Sequence, residues 1–264
     1  MDKRKLFGFV FDKGATSQKM PWAKANFGFT LAEVLITLGI IGVVAAITIP
    51  SLIQNQQKRK MESILKEDYS LLQQVVKFTD YDDVSLDLAI PDSTEGMKLW
   101  FETFMQPHLK YGTICYNKEG CWQSKGHVKT LTGSIAISDG GARGIGAGVI
   151  TIKLLNGSNL CIDGWTSPSE LKGIFGVTVP SSSLSMYIDV NGDSLPNVVG
   201  KDIFIFVWTP DEGLVPAGNN VSKEEVDKNC SSSWTGNNAG YYCMKKVKDN
   251  GWVIPDNVWK TKIK

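Results

Sequence analysis

The stretch FTLAEVLITLGIIGVVAAITIP, residues 29–50, decides the architecture of this chain. Between Phe29 and Ile49 its only ionisable side chain is that of Glu33. A helix of this length rises about 31 Å, which matches the roughly 30 Å hydrocarbon core of a bilayer. We therefore predict a membrane-spanning helix over residues 29–50.

A buried core helix and a cleavable secretory signal are the alternatives for this segment. Core helices of soluble proteins rarely stay apolar on every face for so long. The apolar part of a secretory signal is only about 7–15 residues and ends at small residues, whereas this run is longer and ends at Pro50. We expect the segment to remain in the working protein.

The carboxylate of Glu33 is the exception inside the apolar run. It costs free energy there unless it reaches the headgroup region or finds a positive partner. Lysine and arginine residues lie on both sides of the run, so the positive-inside rule does not orient the helix.

Residues 28–50 resemble the N-terminal processing and methylation motif of type IV pilins and type II secretion pseudopilins. Gly28 falls where a prepilin peptidase would cut, before Phe29, which would then be N-methylated. Glu33 falls at the acidic fifth position after the cut, and Pro50 falls where the helices of the family bend or break. The resemblance implies a cleaved leader over residues 1–28, starting at Met1 or at Met20.

The resemblance also implies a partner for Glu33, namely the freed amine of Phe29 in a neighbouring subunit. It implies four further partners: the prepilin peptidase, other pilin or pseudopilin subunits, an assembly platform with its ATPase, and the membrane. The chain would cross the inner (cytoplasmic) membrane once, with residues 51–264 on the non-cytoplasmic side. It would then enter a periplasmic or cell-surface filament.

The pattern after Pro50 predicts an α+β domain. Apolar residues at three- and four-residue intervals extend the first helix to about residue 80, and a second helical pattern covers residues 94–109. Short β-branched segments bounded by turn residues follow: SIAIS, GVITIKLL, SNLCID, SMYIDV and DIFIFVW. Because these strands do not alternate with helices, we expect a mainly antiparallel sheet packed on the long helix, as in pilins. Residues 210–264 are polar, and we predict a loop-rich region there.

The five cysteines lack metal-type spacing, so disulfides are the leading interpretation in an exported domain. Cys230 and Cys243 resemble, in position and spacing, the disulfide that closes the terminal region of many pilins. Cys115 and Cys121 would close a second, smaller loop, which leaves Cys161 over. Other pairings stay open at this stage.

A calcium site is the one cofactor that the sequence suggests. The segment DVNGDSLPNVVGKD, residues 189–202, offers oxygen ligands at Asp189, Asn191, Asp193, Asn197 and Asp202. Oxygen ligands at alternating positions, as at Asp189, Asn191 and Asp193, suit Ca²⁺. The segment lacks the glycine and the final glutamate of a helix–loop–helix calcium loop, and turn formation explains the same residues.

No grouping of residues predicts a catalytic site, so we expect a chain that is not an enzyme.

The function that we predict is structural: a subunit of a type II secretion pseudopilus or a type IV pilus-like filament. Removal of 28 residues from 264 leaves 236, which favours a pseudopilin or minor pilin over a major fibre subunit. The alternative is a membrane-tethered surface module that binds calcium, sugar or DNA and uses pilin-like export. The net charge is +1 overall and about −3 after residue 28, so we expect no nucleic-acid partner.

Overall fold

The computed structural model describes residues 28–81, 90–91, 93–124, 126–136 and 140–263. It divides into two compact units, residues 1–50 and residues 51–264. Apart from Gly28, the predicted leader lies outside the described residues.

Helix α1, Leu31–Tyr81, contains the predicted apolar run from residue 31 onward, two residues later than predicted, and its amphipathic continuation. Pro50 lies inside this helix, so the backbone is not unwound at that position. In the second unit, one face of α1 is buried through Leu65, Leu72, Val75 and Val76. The apolar spacing that predicted an amphipathic helix after Pro50 is therefore confirmed.

The chain continues through short helices and six strands. In chain order these are α2 (Thr94–Phe104), a 3-10 turn (Gln106–His108), β1 (Tyr111–Tyr116), α3 (Gly140–Arg143), β2 (Val149–Leu154), β3 (Asn159–Trp165), α4 (Pro168–Phe175), β4 (Ser183–Asp189), β5 (Ile203–Thr209), β6 (Gly213–Pro216), α5 (Lys223–Asn229), α6 (Cys243–Asp249) and α7 (Asp256–Trp259). The region after residue 210, predicted to be loop-rich, thus contains one strand and three short helices.

The six strands form one antiparallel sheet in the order β1-β2-β3-β4-β5-β6, so each strand pairs with its neighbour in sequence. The turn at Asn156-Gly157 joins β2 to β3, and Gly157 takes a positive φ of 92°, which glycine adopts without steric cost. The fold is α+β, as the sequence predicts.

Both faces of the sheet are covered, which explains why β4 and β5 are buried at every position. One face packs against α1 and α2 through residues such as Ile152, Met186 and Phe206. The other face packs against α4 and the Tyr241 region through residues such as Tyr187 and Ile205. The alternating residues of each central strand enter two different cores.

One predicted strand is wrong. Residues 134–136 of SIAIS do not join the sheet, because they fold back on the preceding loop: Ala136 N–H donates to the Val128 carbonyl, and Ile135 bridges Lys129. Two edge strands, β1 and β6, were not predicted. β1 contains Gly112 and is only partly buried, and β6 has four residues and ends at Pro216, so neither shows the apolar run of a central strand.

Candidate functional site

The predicted cleavage position lies in an exposed, non-helical segment just before α1. Gly28, Phe29 and Thr30 precede the first helical residue, Leu31, and the Phe29 side chain is 85% exposed. A peptide bond in exposed backbone outside a helix is more accessible to a protease than one inside a helix.

Thr30 and Glu33 form a capping box at the start of α1. The Thr30 N–H and hydroxyl both donate to Glu33 Oε2, each at 2.8 Å, and the Glu33 N–H donates to Thr30 Oγ1 at 3.2 Å. This reciprocal pairing satisfies backbone donors that a helix start leaves open. The T-x-x-E spacing that signals it is present in the sequence, and our sequence analysis missed it.

The geometry of the capping box also determines which oxygen of Glu33 is available. Both bonds from Thr30 reach Oε2, and Oε1 has no hydrogen-bond partner in the described part of the chain. The side chain is held in one orientation by its own helix start. The carboxylate can therefore keep its cap and still accept a second partner.

The apolar run of α1 is exposed in the single chain. The large side chains from Leu31 to Ile49 are between 40% and 78% exposed. Its best 18-residue window has a mean hydropathy of 2.4 and no buried residue. Within the described residues, this is one helix that is long and apolar enough to cross a membrane. So large an exposed apolar surface needs lipid or other protein.

Both predicted disulfides are present. Cys115–Cys121 joins β1 to the loop that follows it, and Cys230–Cys243 joins the end of α5 to the start of α6. Cys161 lies buried in β3, outside both disulfides.

Two of the predicted calcium ligands, Asn191 and Asp193, have other partners in the structure. Asp193 lies 2.6 Å from Lys153 Nζ through Oδ2, and it accepts a bond from Asn159 Nδ2 at 3.1 Å through Oδ1. Both of its oxygens are thus occupied, and the lysine repels a cation. Asn191 instead donates its amide to the Ser194 and Leu195 carbonyls. These contacts are those of a turn.

Asp189 belongs to a separate buried cluster beneath this turn. It accepts bonds from Gln123 Nε2 at 2.8 Å and from the Asn191 N–H at 3.3 Å. Burial, and then repulsion by Asp202, hold the pKa of Asp189 well above its usual value. Asp202 accepts the N–H groups of Asn197 and Val198, and burial raises its pKa to about 6.

Asn197 and Asp202 were among the candidate ligands of the sequence analysis, whereas Gln123, which donates to Asp189 and accepts from Asn197, was not. Buried Oδ1 atoms of Asn191 and Asn197 have no hydrogen-bond partner among the described residues. Carbonyl-type oxygens beside two carboxylates suit a hard cation. However, the described part of the chain has no group of three or more His, Cys, Asp or Glu side chains that could hold a metal. Calcium binding stays a prediction.

Comparison with known proteins identifies the N-terminal segment alone. Residues 23–49 match the prokaryotic N-terminal methylation motif. No curated protein and no solved structure matches the chain. The match confirms the resemblance of residues 28–50 to the type IV pilin and pseudopilin motif, and with the apolar helix it supports a membrane-anchored, pilin-like protein.

Proposed function

We propose that this pilin-like chain is a structural subunit of a type II secretion pseudopilus or a type IV pilus-like filament. The observation that carries the proposal is the methylation motif at residues 23–49, continuous with an apolar helix that nothing covers in the single chain. The protein needs no catalytic group for this role. A partner ATPase would supply the energy of assembly through its platform.

Processing by the prepilin peptidase would precede assembly. The peptidase would cut between Gly28 and Phe29 on the cytoplasmic face of the inner membrane, and the Phe29 amine would be methylated. The apolar part of α1 would hold the subunit in the membrane until it joins a filament. The domain formed by residues 51–264 would lie on the non-cytoplasmic side, outside the bundle of helices.

Glu33 would set the register between subunits. The amine of Phe29 in a neighbouring subunit is the positive partner, and Oε1 is the oxygen left for it by the capping box. In an apolar bundle an unpaired carboxylate is strongly disfavoured. Arrangements of subunits that bring the Glu33 carboxylate to the Phe29 amine of a neighbour are therefore favoured. Pro50 removes one helical hydrogen bond and would let α1 adapt its path in the filament.

Two substitutions separate capping from charge pairing. Glu33→Gln keeps the side-chain acceptor of a capping box but removes the charge. Thr30→Ala removes the hydroxyl and keeps the charge, at a cost of about 1 kcal/mol in helix capping. We expect filaments from Thr30→Ala and none from Glu33→Gln, measured by sedimentation of sheared material and electron microscopy. Filaments from Glu33→Gln at the wild-type level, with cleavage intact, would refute the role of the charge.

Calcium binding is a secondary proposal, with Asp189 and the buried amide oxygens of Asn191 and Asn197 as its ligands. The motivation is the unpartnered state of those two oxygens. Titration of the full chain with calcium chloride in a calorimeter tests it, with Asp189→Asn as the variant that should lose binding. No heat above dilution in the wild-type chain would end the proposal.

A further inference from the structure

A groove of about 990 Å³ in the second unit combines lysines with an apolar floor. It is bounded by the part of α1 just after Pro50, the loop that follows β4, and the C-terminal residues. Its lining contains the lysines Lys60, Lys201, Lys260 and Lys262, and among the described residues that line it there is no aspartate or glutamate. We call it the basic groove.

The floor of the basic groove is apolar. Met61 and Ile64 of α1, together with Trp259, contribute to it. Leu195 lies at its edge and is 81% exposed, which is unusual for a leucine beside a cavity. A ligand that fits the groove should therefore carry both acidic and apolar groups.

The lysines differ in how far they are already paired. Lys260 lies 2.9 Å from Asp256, and Lys201 donates to the Thr261 carbonyl at 3.1 Å. Lys60 and Lys262 have no ion-pair partner among the described residues. At least two positive charges in the groove are thus open to an incoming carboxylate.

A segment of complementary composition occurs in the same chain. Residues 80–89, DYDDVSLDLA, contain four aspartates, no lysine or arginine, and the apolar residues Val84, Leu86 and Leu88. We call this the acidic segment. The acidic segment has as many aspartates as the basic groove has lysines, and its leucines are complementary to the apolar floor of the groove.

The acidic segment is too short to reach Lys60 of its own molecule. From Lys60 to the end of α1 at Tyr81 the helix rises about 31 Å. The chain between Tyr81 and the buried Ile90 could extend at most roughly 31 Å in total, so it could project only about 16 Å before returning. A contact of the acidic segment with Lys60 therefore requires a second molecule.

We propose that the acidic segment of one subunit binds in the basic groove of a neighbouring subunit. Groove and segment are different surfaces, so the contact is heterologous and each bound subunit presents a new groove or segment to the next. Such a contact can repeat without closing, as a filament requires. This inference rests on the proposed function and adds a specific interface to it.

Photo-crosslinking from the groove identifies its occupant. In the full chain, kept in its own membranes, Leu195 is replaced by p-benzoylphenylalanine and the sample is irradiated. We expect a crosslinked dimer whose second chain is joined through the tryptic peptide of residues 78–98. Crosslinks to lipid, to another protein, or to any other part of a second copy would overturn the proposal.

Charge reversal tests the chemistry of the contact. Lys60→Glu with Lys262→Glu should lower the dimer yield about fivefold, or roughly 1 kcal/mol for two exposed pairs. Asp82→Lys with Asp83→Lys should do the same, and mixing the two variants should restore the yield. Lys118→Glu with Lys172→Glu makes the same charge change at exposed sites outside the groove and should leave the yield unchanged. Equal losses in groove and control variants, or no recovery on mixing, would contradict the interface.

Failure of this interface is distinguishable from failure of the proposed function. A wild-type chain that is cut before Phe29 and forms polymers, but crosslinks elsewhere, overturns the interface alone. A chain that forms no polymer and gives no crosslinked dimer overturns both.

Discussion

Asp68 is a charged residue that the fold buries completely. It lies on α1, at 0% exposure, where Asn156 Nδ2 of the β2–β3 turn donates to Oδ1 at 2.6 Å. Its other oxygen has no partner among the described residues. Burial raises the pKa of Asp68 from 3.8 to about 6, so ionisation of this side chain destabilises the domain at neutral pH.

We expect Asp68→Asn to stabilise the domain at pH 7 by about 2 kcal/mol. The folded-state pKa is raised, so the contribution of the protonated form is present below pH 3.8 and is lost as the pH rises through about 6. The gain from the substitution should therefore shrink below about 1 kcal/mol at pH 4. Urea unfolding of the full chain in detergent, followed by tryptophan fluorescence, measures it.

Asp211→Asn, at an exposed turn, is the matched control and should change stability little at either pH. A gain from Asp68→Asn that is the same at pH 4 and pH 7 would contradict the assignment of the raised pKa.

Glu33 and Asp68, which both lie on α1, show how far a sequence predicts the role of a single residue. The capping role of Glu33 depends only on a partner three residues away, so the sequence contains its full signal. The burial of Asp68 depends on a turn 88 residues further along the chain, and its spacing on α1 resembles that of an ordinary solvated residue. Local partners are predictable, whereas partners brought together by the fold are not.

At the edge strand β6, a side chain of α1 forms hydrogen bonds to the backbone where a further strand would otherwise pair. Gln73 Nε2 donates to the Leu214 carbonyl at 2.6 Å, and Gln73 Oε1 accepts the Leu214 N–H at 3.2 Å. Gln73 Nε2 also donates to the Tyr69 hydroxyl at 2.7 Å, which gives the Gln73 side-chain amide a third hydrogen bond. An edge strand with open backbone groups can pair with other chains, and this helix side chain occupies part of that edge.

The two disulfides should stabilise the domain unequally. The Cys230–Cys243 bond closes the longer loop, with a sequence separation of 13 against 6 for Cys115–Cys121. In the chain-entropy description these correspond to about 3 and about 2 kcal/mol. Cys230→Ala with Cys243→Ala should therefore lower the free energy of unfolding more than Cys115→Ala with Cys121→Ala.

Urea unfolding by tryptophan fluorescence compares the two double variants with the wild-type chain. A larger loss from the shorter loop would show that loop closure does not govern their contributions.

At the scale of elements, the central strands were predictable and the edges were not. β2 to β5 each contain apolar residues, several of them β-branched or aromatic, that are mostly buried in the structure, so composition identifies them. β1 and β6 owe their strand form to pairing with a neighbour, which no local pattern records. The same reasoning explains residues 134–136 of SIAIS, where Ile135 pairs with Lys129 of a nearby loop.

At the scale of the whole molecule, the chain has two units that require different surroundings. Residues 31–50 expose apolar side chains that need lipid or neighbouring helices, whereas residues 51–264 bury two apolar cores around a covered sheet. The sequence predicts this division because the apolar run is long and lacks polar faces. The basic groove was not predictable, since its lysines come from three distant parts of the chain.

The account depends on a cut before Phe29, because only that cut creates the amine that Glu33 would pair with. Mass spectrometry of the N-terminal peptide, from chain purified out of membranes and filaments, tests it most directly. We predict a peptide that begins at Phe29 and carries the mass of one added methyl group, in a chain that polymerises. A protein that still begins at Met1 or Met20 and never enters a polymer would contradict the account and favour a simple membrane tether.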